Sequence, residues 1–296
     1  MLKEKDILSS KIGIIANDAG GANYIKAFID YHSLTPYVFA KGIASKIFNS
    51  IKDAKKCHSV EEIISNSELL LFGTGWESDF EIKALLSAKK HITTITFLDH
   101  WTNYMERFTY KKKVILPDYI VVYDKYAFQI AKINFPNSQK ILFFENYYIL
   151  NQISEARTYK KKEEYILFID EPLKDWNNNY NPGAKYNYDE YTGFQYFLNY
   201  IEHSKFSSEK ILIRLHPSEA NRDKYMFITK NFANISISTN NSLIQDIINS
   251  KFVVGFESTA LVIGLELNKI VYNIIPPNCT KTSLPHKEIK FFYNEN

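Results

Sequence analysis

Short runs of Ile, Val, Leu and Phe recur along this chain with room for one helix between each pair, and that rhythm restricts the fold more than any motif does. Residues 11–16 (KIGIIA), 36–40 (PYVFA), 68–72 (ELLLF), 92–98 (ITTITFL), 118–123 (DYIVVY) and 139–144 (QKILFF) read as strands. Helical segments, among them 60–66, 77–90 and 124–133, separate them. Such alternation indicates βαβ units and a parallel sheet, with right-handed crossovers. A polar stretch at 151–163 reads as a linker. The rhythm then restarts, with strands at 164–169, 209–214, 234–237, 251–254 and 269–274 and helices at 188–204, 221–231, 242–249 and 258–267. The expected fold class is α/β, with two Rossmann-like domains, 1–150 and 151–296, whose parallel sheets face a cleft.

Composition narrows the function. At 296 residues the chain is comfortable for two domains. A hydrophobic fraction of 45% and a charged fraction of 23% are ordinary for a globular protein. The 36 basic and 33 acidic residues leave a net charge of +3, which supplies no polyelectrolyte argument for nucleic acid. The 21 Tyr and 21 Phe read mainly as packing residues. Cys57 and Cys279 match no metal spacing and read as two thiols of a reducing compartment. No run of 18 apolar residues occurs, and the first residues hold no apolar stretch of signal length, so a cytoplasmic protein is expected. No GxGxxG with a following acidic residue points to NAD, and no cluster of His and Asp points to a metal; no cofactor is expected.

In open parallel sheets ligands bind beyond the carboxyl ends of the strands, so the loops that follow strands carry the candidates. Asn17-Asp18-Ala19-Gly20-Gly21 precedes a helix and suits an anion, with Gly20 and Gly21 permitting close backbone approach; Asp18 is equally an N-cap. Gly73-Thr74-Gly75-Trp76 repeats the pattern, with Trp76 either covering a sugar or base or packing internally. Asp99-His100-Trp101 offers a carboxylate, an imidazole and an indole, with Asp99 and His100 as acid–base candidates and Trp101 as a substrate contact. In the second half, Pro172 stops a strand and leaves Asp170-Glu171 at its tip. Arg214-Leu215-His216-Pro217 fixes an imidazole just beyond a strand. Glu257-Ser258-Thr259 opens a helix with two hydroxyls, a ready phosphate site. Residues 174–193, with five asparagines, Pro182 and two glycines, read as an irregular loop, either an acceptor-side lid or a mobile insertion.

Three of these motifs, Asp170-Glu171, His216-Pro217 and Ser258-Thr259, resemble in order and placement those of GT-B glycosyltransferases of bacterial surface-polysaccharide synthesis. The likeness is nearest to the group using CMP-activated sugars, the bacterial sialyltransferases, where Gly stands in place of Pro172. The resemblance implies that His216 donates to the leaving phosphate, that Ser258 and Thr259 bind it, and that Asp170 deprotonates the acceptor hydroxyl. Independently of it, Glu257 is placed to accept ribose hydroxyls and Arg214 to reach a phosphate or sugar carboxylate. Asp18 and Asp99 remain rival bases. The implied partners are a nucleotide-sugar donor and a glycan or glycolipid acceptor, which leaves room for peripheral membrane contact. A nucleotide-sugar epimerase or hydrolase, and a non-catalytic nucleotide- or sugar-binding protein, are the competing readings.

Overall fold

The computed structural model describes residues 3–75, 78–180, 187–217, 219, 221 and 223–294. The chain divides into two compact units, Met1–Asn151 and Gln152–Asn296. In the first, strands β1 (Ile12–Ala16), β2 (Tyr37–Ala40), β3 (Lys55–Lys56), β4 (Leu69–Phe72) and β5 (Thr93–Phe97) are followed by a small antiparallel hairpin, β6 (Thr109–Tyr110) with β7 (Lys113–Val114). The sheet is completed by β8 (Tyr119–Val122) and β9 (Lys140–Phe143). Its order is β3-β2-β1-β4-β5-β8-β9, and every pairing is parallel. All five residues of β1 are buried, the mark of a strand covered on both faces.

The second unit repeats the plan. Strands β10 (Tyr165–Ile169), β11 (Ile211–Arg214), β12 (Ile235–Ile237), β13 (Ser250–Gly255), β14 (Ile270–Asn273) and β15 (Lys290–Phe291) form a parallel sheet of order β12-β11-β10-β13-β14-β15. Its core is aromatic. Phe168 stacks on Phe194 at 4.4 Å and meets Phe256 edge-on at 5.8 Å, arrangements that suit ring quadrupoles. In each unit the strand order reverses direction once, between β1 and β4 and between β10 and β13. At such a point neighbouring crossovers lie on opposite faces and open a crevice at the carboxyl ends.

Two segments read as linker or as irregular are helical in part. The segment read as a linker begins inside a helix, Tyr147–Ala156, which buries Ile149 and Ala156. The asparagine-rich stretch read as irregular is helical over Leu173–Tyr180. Pro172 immediately before it is preorganised for a helix start, and the Trp176 N–H donates to the Pro172 carbonyl at 3.0 Å. Low intrinsic propensity of Asn is a weak prior that tertiary context overrides; the centre of that segment, 181–186, lies outside the described residues. Among the described residues, no helix is long and apolar enough to cross a membrane.

The close fit of the helix Ala19–Tyr31 onto the sheet edge gives a direct test. A Cβ at Gly21 would lie 2.7 Å from the Gly73 Cα, a backbone atom that cannot turn aside. Gly21→Ala is therefore expected to cost about 1–3 kcal/mol, as overpacking does. Urea unfolding checks this as a lowered midpoint at unchanged slope.

Candidate functional site

The switch point of the first sheet gathers three carboxyl groups. Asp18 occupies the N-cap position of the helix Ala19–Tyr31, but its side chain makes no capping bond to that helix. Its Oδ1 accepts from Asn17 Nδ2 at 2.8 Å instead. Asp99 follows β5, and a Cβ on Gly20 would fall 1.7 Å from its Oδ2. The Asp99 carboxylate thus rests on the first helical turn, the positive end of the helix dipole, and only glycine fits beneath it. Arg107 ties the loops together: its guanidinium reaches the Thr74 carbonyl at 2.7 Å, Thr74 Oγ1 at 3.0 Å and Asp99 Oδ1 at 3.0 Å. The third group is Glu81, only 4% exposed. Its Oε1 accepts the Asn17 N–H at 2.9 Å.

His100 and Trp101 part company here. The His100 ring is half-buried, with its Nδ1 3.1 Å from Thr102 Oγ1. The Trp101 indole is buried and donates to Asp124 Oδ2 at 2.8 Å. Its ring tilts against that of His100 at 5.4 Å. Trp76 lies outside the described residues.

In the second sheet, β11 and β13 flank β10, so the loops from 170, 214 and 255 leave one edge side by side. Asp170 is completely buried. The Lys224 ammonium donates to its Oδ2 at 2.9 Å, and the Tyr225 hydroxyl to its Oδ1 at 2.7 Å. Lys224 also pairs with Glu190 at 2.9 Å and Glu219 at 3.1 Å. Burial lifts the Asp170 carboxyl to about 6, while Lys224 and the Tyr225 hydroxyl pull it back. Burial presses the Lys224 ammonium down, but Asp170 and Glu190 outweigh it and hold it charged. Both oxygens of Asp170 are thus committed inside the unit. That geometry makes it an anchor for Lys224 and Tyr225 rather than a group open to a substrate proton.

The loop after β11 carries His216, half-buried with its ring edge-on to Trp176 at 5.8 Å. Burial, reinforced by Lys224, pulls its imidazole down to about 4, so it is neutral at pH 7. Pro217 beside it is exposed. Arg214 is turned inward: it donates to Asp246 Oδ2 at 2.7 Å and to the Asn241 carbonyl at 3.0 Å. After β13 the helix Thr259–Glu266 begins, capped by Ser258, whose Oγ accepts from Ala260 N at 3.2 Å. A carboxyl group of the chain itself lies beside this helix start. Glu171 Oε2 accepts the Glu257 N–H at 2.7 Å. Burial lifts the Glu171 carboxyl to about 8 against the pull of that N–H. Glu257 is buried, and its Oε1 accepts the Ser283 N–H at 2.6 Å. Thr259 is half-buried.

Two residues that this geometry makes prominent, Glu81 and Lys224, were not singled out in the sequence. Glu81 was within reach, because in Phe80–Ala88 it shares the spacing of the buried Leu85 and Ala88. Glu171 was visible beside Asp170, but its bond to Glu257, 86 positions on, was not. Lys224 sits in a polar run with no periodic signal.

No protein-family model matches the sequence, and a search of curated proteins gives no match. Solved structures do resemble the fold. A Staphylococcus aureus MnaA–UDP structure superposes with a TM-score of 0.58 at 13% identity, covering 93% of this chain and 81% of that one. The UDP-GlcNAc 2-epimerase of Neisseria meningitidis bound to UDP-GlcNAc gives 0.56 at 12%, covering 89% and 82%. The fold is therefore that of GT-B proteins, with two Rossmann-like domains.

The buried Lys224 cluster sets an expectation of its own. Lys224→Ala leaves Asp170, Glu190 and Glu219 without their shared cation, and removing one partner of a buried pair costs about 3–5 kcal/mol. Chemical denaturation of the variant checks it.

Proposed function

We propose that this chain is a nucleotide-sugar-dependent glycosyltransferase whose second unit binds the donor and whose first unit supplies acid–base groups. The observation that carries this reading is where the polar groups stand. His216, Glu257, Ser258 and Thr259 leave the ends of the two strands that flank β10, and Asp18 and Asp99 leave the corresponding edge of the first sheet. Ligand crevices of open parallel sheets lie at such edges.

A neutral His216 donates one N–H to the leaving phosphate. Ser258 uses a lone pair for its capping bond and keeps its O–H to donate, since a hydroxyl does both; Thr259 adds a second hydroxyl. Together they offset the charge that develops as the sugar–oxygen bond breaks. With Asp170 committed to Lys224 and Tyr225, the base falls to the first unit. There Asp18 is preferred to Asp99, because Asp99 carries the ion pair through which Arg107 ties the loops together. The motif order favours a CMP-activated donor, of nonulosonic acid or Kdo type, and a glycan or glycolipid acceptor.

An epimerase is the second reading. It is favoured by the gathering of Asp18, Glu81 and Asp99 at one edge, since an epimerase must remove and return protons. UDP and UDP-GlcNAc, bound in the two similar structures, suit it equally. Incubation with nucleotide sugars separates the two: a transferase releases nucleotide only when acceptor is present, whereas an epimerase returns an isomerised nucleotide sugar.

A panel of CMP, CDP, UDP and GDP identifies the donor class, because a ligand at 100 times its Kd stabilises by about 2.7 kcal/mol. His216→Ala is expected to stay folded, to keep that thermal shift, and to lose about 10²–10⁴-fold in kcat. Near-normal turnover of the variant removes His216 from the chemistry.

A further inference from the structure

The helix Phe80–Ala88 has two sides. Phe80, Lys83 and Ser87 line an open groove, while Glu81, Ile82 and Leu85 face the carboxyl edge of the first sheet. A glutamate on the inner side is costly as an anion unless a cation meets it. Among the described residues none does. Among the described residues Glu81 Oε2 has no side-chain partner, and beside it is a cavity of about 10 Å³ that Thr96 and Arg107 also line. Thr96 Oγ1 is likewise buried and unbonded. The cavity has the room of about one water molecule. Arg107 has its guanidinium engaged with Thr74 and Asp99.

What does meet Glu81 is another carboxyl group. A Cβ on Gly75 would lie 2.4 Å from Glu81 Oε2 and 2.5 Å from Asp18 Oδ2, so the two side chains approach one another across a residue that has none. Like charges so placed do not both ionise readily. We infer that Glu81 is the proton-holding partner of Asp18: the pair of carboxyl groups that flanks Gly75 carries one proton, held on Glu81, which leaves Asp18 charged as the acid–base group. The inference rests on the transferase reading for the proton that Asp18 takes. In that step the acceptor O–H bond breaks and its proton joins the Asp18 carboxylate. The acceptor oxygen bonds to the sugar carbon, and the phosphate leaves with the electron pair. The carboxyl pair passes from one proton to two. Glu81 acts through Asp18 and is a positioning residue.

Among the described residues the charged groups facing Glu81 are Asp18 from the loop after β1, Asp99 from the loop after β5 and Arg107 from the turn that follows. Burial lifts the Glu81 carboxyl to about 8, with Asp18 and then Asp99 adding to it and the Asn17 N–H opposing. A folded-state value raised from 4.5 means stabilisation that is complete below pH 4.5 and is lost as pH rises through 8.

Infrared difference spectroscopy of the full chain tests the pair without any substrate. In the spectrum of the wild type minus that of Glu81→Gln, where the Glu171 carboxyl cancels, a protonated-carboxyl band is expected at pH 7 with a midpoint near 8. In Asp18→Asn the midpoint falls by about one unit or more, because the neighbouring charge is gone. A pH–rate profile adds the functional arm: the wild type bends near pH 8, and Glu81→Gln loses the bend, which mere loss of packing does not cause. A midpoint that Asp18→Asn leaves in place overturns the pair, as do superposable profiles of the wild type and Glu81→Gln. The infrared arm needs no turnover. A shifted midpoint in a protein that acts on no nucleotide sugar therefore keeps the pair and sinks the transferase reading, and turnover with an unmoved midpoint does the reverse. If Glu81→Gln does not fold, Asp18→Asn alone decides.

Discussion

Parallel strands cannot be joined by a tight turn, and the rest of this structure depends on that constraint. Each strand must return through a crossover before the next can pair, so all carboxyl ends of a sheet emerge at one edge. Where the order turns, between β1 and β4 and between β10 and β13, the crossovers part to opposite faces. The loops there are released from the task of covering the sheet, and glycines, carboxylates, an imidazole and hydroxyls collect in them. The chemistry of the molecule follows from its connectivity before any side chain is considered.

The two edges treat buried charge in opposite ways. At the second, Asp170 has lost all contact with water, yet Lys224 and Tyr225 answer both of its oxygens, and Glu190 and Glu219 balance what remains of the lysine. Such a cluster fixes a loop. At the first edge, Glu81 is nearly as deep but has backbone N–H and other acids for company. Strongly perturbed carboxyls without a structural cation are the kind that mark working sites. Glu171 stands between the two cases, a buried acid stabilised by the N–H of Glu257 at a helix start.

The fold was legible because two-sided burial leaves a strong trace. Strands such as 12–16 and 165–169 are buried at every residue and therefore read as unbroken apolar runs; only their ends moved by a residue or two. The β6–β7 hairpin was not legible. Its turn is Lys111-Lys112, both at positive φ of 48° and 63°, where Asn or Gly would have signalled it. The helix Leu173–Tyr180 was hidden by its asparagines. The site was legible as a set of strand-end loops, since that follows from topology. It was not legible as bonds: nothing local to Asp170 announces a lysine 54 residues away, and nothing at Arg214 announces Asp246.

The interlocked glycines of the first edge have a consequence for how this protein can change. Gly20 makes way for Asp99, Gly21 for the backbone at Gly73, and Gly75 for Glu81 and Asp18. Each is the negative impression of a residue on a different loop. Substitutions among these positions share partners, so their effects combine non-additively. A side chain gained at Gly20 or Gly75 is tolerated only when its opposite number has already shrunk, whereas at Gly21 the facing backbone admits none. Variation at this edge must therefore travel in matched pairs, and a lineage that drifted here would carry the record of both changes together.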